Sequence, residues 1–323
     1  MLTFRQPSLW NQPAQQKVHQ NEMTKELDAR LKTALDESRL LILGAQVLFG
    51  FAFQGVFQEH FRDVSPAGHS LQCVALVLLC GSVGLLIAPS MYHCIACHGR
   101  SRHRALHVAT SLTGWSLLPL TLGLGASAFV VFDFLVGQEV GLVVGAGLAV
   151  IGLGLLFGLG MALRRKAKPL PPESETPLKT KIEQLLTEAR VIIPGGQALL
   201  GFQLVAALTR SFQALPGWMQ AVHAAGLLAV AFSILLLMTP ASLHRLAYHG
   251  EDDPQFFRVG SALVIAAALP LALGIAADIT VVLYIVSEDP PTAIATGTAA
   301  FVCLLTAWYG FPLWHRGAGH GAA

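Results

Sequence analysis

From Leu40 to Trp314 the chain alternates long apolar stretches with short polar breaks. Crossing hydrocarbon as a helix takes about 20 mostly apolar residues. Eight stretches qualify: roughly 40–57, 70–92, 106–135, 140–163, 191–209, 219–243, 259–286 and 292–314. None alternates apolar and polar positions with period two, which argues against a β-barrel. Backbone groups in lipid must find partners within their own segment, so the pattern predicts a bundle of helices. The predicted fold is all-α, a polytopic membrane protein with eight transmembrane helices.

The polar breaks set the orientation. With the N-terminus inside, 19 of the 21 lysines and arginines fall in inner segments, and only Arg62 and Arg210 in outer ones. The positive-inside rule then places both termini on the cytoplasmic side. No signal peptide is predicted, because the start is glutamine-rich and the first apolar run waits until Leu40.

The apolar pattern also repeats. ESRLLILGAQVLFGF (37–51) matches EARVIIPGGQALLGF (188–202) at an offset of 151. The same offset pairs Phe61 with Phe212, Pro89 with Pro240, His93 with His244, His98 with His249 and Pro119 with Pro270. Leu27, Leu31 and Leu35 pair with Leu178, Ile182 and Leu186, so each unit is predicted to begin with a short amphipathic surface helix. Four spans per unit is an even number, so the units run parallel and should relate by a pseudo-two-fold axis along the membrane normal. The predicted division is 1–21 disordered N-terminus, 22–163 first unit, 164–177 linker, 178–316 second unit and 317–323 tail. Thr176-Pro177 is the predicted cap and first-turn proline of the second unit.

The unit resembles a bacterial family of four-span membrane proteins, domain of unknown function 6328. The likeness rests on Gly44-Ala45-Gln46-Val47-Leu48, Phe51, Phe61, Ala88-Pro89 and Tyr92-His93. The second copy shows Thr239-Pro240, Leu243, His244 and Arg245. The resemblance implies two fused copies and no activity.

Composition agrees with a bilayer protein: 54% of residues are hydrophobic and 12% charged, against about 25% charged in soluble domains. The basic residues are dispersed, so nucleic acid is not a predicted partner; lipid and other membrane subunits are. No phosphate loop, dinucleotide fingerprint or nucleophile elbow occurs.

The chemistry-bearing residues are few. Cys94-Ile95-Ala96-Cys97-His98 has the spacing of a c-type haem attachment site. Its repeat partner keeps the histidines but replaces the cysteines with Arg245 and Tyr248, and the stretch faces the cytoplasm, so covalent haem is not expected. His93, Cys94, Cys97 and His98 could instead hold a soft metal, or sit as interfacial residues at a helix end. His69 and His223, with His93 and His244, are candidate axial ligands for haem b or chlorin. The bland alternative for His69 and His223 is hydrogen bonding to Gln54, Gln58 or nearby backbone. Gln46 and Gln197, Arg39 and Arg190, and Pro89 and Pro240 are assigned structural roles. The expected function is a non-catalytic scaffold or accessory subunit. A haem b or chlorin electron-transfer subunit and an ion or small-solute conduit are the alternatives.

Overall fold

The computed structural model describes residues 12–158, 176–249 and 251–318. Eight of its helices are long and apolar enough to cross a membrane, which gives the chain a membrane-inserted, all-α architecture. They are α1 (Gln12–Gly55), α2 (Pro66–Ile95), α3 (His103–Val136), α4 (Gln138–Leu153), α5 (Leu178–Ala207), α6 (Gly217–Leu246), α7 (Pro254–Ser287) and α8 (Pro290–Leu305). α4 and α8 each run into a π-turn, Gly154–Gly158 and Thr306–Gly310.

Local sequence explains most helix ends. Ser65, Asp253 and Asp289 each accept a backbone N–H at a helix start, and each is followed by a proline whose fixed φ suits the first turn. The P-x3-H-x4-HG motif ends α2 and α6. His98 and His249 both take left-handed φ, at 52° and 51°, and the Cys97 and Tyr248 N–H groups turn back to the Tyr92 and Leu243 carbonyls. Inside the helices, Pro119 and Pro270 disturb the backbone ladder. Close by, the Ser82 hydroxyl donates to the Ser116 carbonyl, and Ser233 does the same to Ala267.

Several expectations change. α1 begins at Gln12, inside the segment expected to be disordered; residues 1–11 lie outside the described residues. Glutamine is a good helix former and Pro13 sits in the tolerant first turn. The amphipathic segments are not separate surface helices. Leu27, Leu31 and Leu35 extend α1 below the span and are buried, Leu31 and Leu35 in one cluster with Tyr92, Cys97, Ala105 and Ala109. Thr176 is not the cap of α5: Pro177 holds that position, and the Thr176 hydroxyl accepts the Ser101 N–H at 2.8 Å. The remaining linker residues 164–175 and the tail from 319 lie outside the described residues.

Each unit packs the same way, with its second helix on the third, its third on the fourth and its first on the second. The repeat slips by one residue at the last loop, where Glu288-Asp289 stands against Gly137 alone. α4 and α8, and their π-turns, therefore correspond at an offset of 152. Between units, the packing departs from a two-fold axis. α1 lies along α5, and α2 is held by α7 and α8. The reciprocal contact of α6 with α3 and α4 is not made to a comparable extent, so α2 is the most enclosed span while α4 and α8 are mostly exposed.

Candidate functional site

The junction of the units is where polar side chains meet. Glu188 on α5 enters the first unit at the arginine-rich end of the bundle and is 1% exposed. His93 Nδ1–H donates to its Oε1 and the Cys94 thiol to its Oε2, both at 2.8 Å. His93 Nε2 is buried with no hydrogen-bond partner. α2 delivers both donors because they are its last residues before the histidine-glycine stop. Arg39 lies near Glu188 and forms its ion pair with Asp36 on its own helix. The repeat-related Glu37 and Arg190 are exposed.

Two turns along α5, Gly195 receives the Gln46 side chain. A Cβ there would lie 1.4 Å from Gln46 Oε1 and 2.9 Å from Gln46 Cβ. Gln46 is buried with both amide atoms unpartnered, whereas Gln197 is exposed, so the two glutamines do not share a role. Small residues at such crossings let helix backbones approach closely.

At the opposite end, Gln203 Nε2 donates to both Asp278 oxygens at 2.9 Å, and His223 Nε2–H donates to the Gln203 carbonyl at 3.0 Å. The exchanged His and Gln now have an explanation. Gln72 occupies the His223 position and donates to the Ala52 carbonyl, the repeat equivalent of Gln203. His69 donates to the Phe61 carbonyl at 2.8 Å, and Gln220 donates to Gln213 and Leu215. Imidazole and amide are thus interchangeable donors holding the top of the second helix to its neighbour. A carbonyl can only accept, so the bonded ring nitrogens of His69 and His223 carry the proton.

A cavity of about 340 Å³ opens beside the junction, lined by Arg100, Arg102, Arg104 and Arg316 with His98 and His315. Burial at its wall, then Arg316, Arg100 and Arg102, lower the His98 pKa, and a backbone bond to Ile95 partly offsets this. Among the described residues no group of three His, Cys, Asp or Glu side chains is arranged for a metal ion. The His93, Cys94, Cys97, His98 set is split: the first two turn to Glu188 and His98 forms the left-handed helix stop. A backbone role for His98 predicts that His98→Asn is tolerated, whereas His98→Val costs about 1–2 kcal/mol because β-branched residues resist left-handed φ. Thermal unfolding of the two variants checks this, and equal losses would point to imidazole chemistry instead.

The family of unknown function DUF6328 matches residues 20–160 and again residues 173–312. The chain belongs to that family. No curated protein and no solved structure matches it. In this chain each match covers four spans, and in each a pair of histidines marks the end of the second one.

Sequence reading missed Glu188 as a site residue, because Glu37 carries the same residue type in the same local pattern. It also missed Trp308, fully buried and donating to the Gly84 carbonyl at 2.9 Å. Asp133 accepts from the Ser65 N–H and hydroxyl, fastening α3 to the start of α2.

Proposed function

We propose that the protein is a non-catalytic integral membrane scaffold that associates sideways with other membrane subunits, with its arginine-rich end and both termini in the bacterial cytoplasm. The observation that carries this reading is the use made of polar side chains within the spans. At repeat-related positions they donate to backbone carbonyls: Ser82 and Ser233, Gln72 and His223 to those of adjacent helices, His69 and Gln220 to those of the connection before their own helix. Polar groups inside membranes otherwise tend to mark transport or redox chemistry. The cavity with four arginines supports contact with anionic headgroups at that face. The orientation predicts that a topology reporter at Gly137 reads outside and one at Ser101 inside; swapped compartments would overturn it. The scaffold reading predicts protein purified in detergent without a Soret or chlorin band and without solute flux in liposomes. A haem band lost in His223→Ala would replace it with electron transfer.

A conduit reading has one observation in its favour. Glu188 and Gln203, the partner of Asp278, lie on one buried face of α5, 15 residues and therefore about 22 Å apart. Ile192, Leu199 and the Gln46–Gly195 contact fill the space between them, which favours the scaffold. Proton entry into dye-loaded liposomes, abolished by Glu188→Gln, would reverse that preference.

A further inference from the structure

The junction inside the chain joins two different faces, one from each unit. Each unit therefore also carries the face that its sister uses, and both spare faces are exposed. We infer that a second copy of this chain docks head-to-tail, its first unit taking on the second unit of its neighbour the place that the second unit takes on the first within the chain. This deepens the scaffold reading by naming a partner, and it rests on the junction geometry.

The contact is complementary at three levels. Within the chain, Phe53 stacks on His223 at 5.8 Å and Phe57 packs on Phe212 at 6.3 Å, filling the second unit's outer slot. The equivalent slot of the first unit is an open apolar groove of about 380 Å³, lined by Phe61 and Gln72, the counterparts of Phe212 and His223. Val131 in its wall is 53% exposed, whereas Val282, its counterpart, is 0% exposed. The counterparts of Phe53 and Phe57 are Leu204 and Leu208; Leu208 is 86% exposed, an apolar knob without a slot in its own chain.

The small-residue contact has spare halves too. Gly44 and Gly201, counterparts of Gly195 and Gly50, meet nothing within 4 Å, and Gln197 is exposed as the counterpart of Gln46. The charged contact is the most telling. Glu188 meets His93 and Cys94; the spare halves are Glu37 on one face and His244 with Arg245 on the other. His244 occupies the His93 position in the repeat, and the exposed Arg245 stands at the thiol's position, so this face offers a cation to a carboxylate where the first unit offers a thiol. A heterologous contact of this kind propagates from copy to copy and closes into a ring when its rotation allows.

Cysteine pairing tests this on the full chain in native membranes. Glu37→Cys and Arg245→Cys are placed on separately tagged copies, co-expressed and oxidised with copper phenanthroline. The 2.8 Å approach of Cys94 to Glu188 sets the expected proximity. A disulfide-linked dimer carrying both tags is expected, at least about tenfold above either single variant or the unaltered chain, since only one register brings the two positions together. No doubly tagged dimer, or as much Glu37→Cys homodimer, overturns the inference. The charge pair gives a second readout. In lipid nanodiscs the unaltered chain is expected to be oligomeric, Glu37→Arg to be monomeric, and Glu37→Arg with Arg245→Glu to be oligomeric again. A monomeric unaltered chain, its faces covered by lipid alone, would also overturn it. These outcomes leave the pigment and flux tests of the scaffold reading untouched.

Discussion

Replacing Glu188 with alanine is expected to cost about 2–5 kcal/mol, on the scale of about 1–3 kcal/mol for each buried donor left without an acceptor. His93 and Cys94 would be left as buried donors without an acceptor, at a junction where His93 Nε2 already has no partner. Glu37→Ala changes the same residue type at the same place in the repeat. On detergent-dispersed monomers it should stay within about 0.5 kcal/mol of the parent, as exposed positions usually do. Thermal unfolding of the two variants, followed by tryptophan fluorescence, makes the comparison. Equal losses would mean that Glu188 matters for its helix and not for the junction.

The second large effect is steric. Gly195→Val should lower stability by about 1–3 kcal/mol or more, because its Cβ would fall inside the Gln46 side chain and the crossing of α1 and α5 would have to open. Gly44→Ala at the matching site has open space, so it should gain up to about 1 kcal/mol from better helix propensity. Removing the obstacle separates packing from backbone effects. Gln46→Ala combined with Gly195→Ala should cost less than the sum of the two single changes. Strict additivity would show that Gln46 does not occupy the space above Gly195.

Much of the fold was legible because its signals are local or internal to the sequence. Eight apolar stretches, the constant offset between Pro89, His93 and His98 and their counterparts, and the basic loops need no knowledge of packing. The helix stop at His98-Gly99 could be placed as a shared structural motif because both copies keep it while only one keeps the thiols. The one-residue slip before α8 was less visible, since it falls among Glu288, Asp289 and the prolines after them, where the repeat has no shared landmark.

The candidate site was hidden for a different reason. Gln46 and Gln197, or Glu37 and Glu188, are the same residue in the same local pattern, and nothing in the sequence separates them. Sequence by itself determined the span count, the parallel duplication and the residue types offered at every face. Only the tertiary structure decided which copy of each residue is buried, because two identical frameworks can join through unlike faces. That asymmetric junction encloses Glu188, Gln46 and Phe57 and leaves Glu37, Gln197 and Leu208 outside. Burial in a bundle is a property of which surfaces meet, and that choice is settled by shape and hydrogen bonding between residues far apart in the chain.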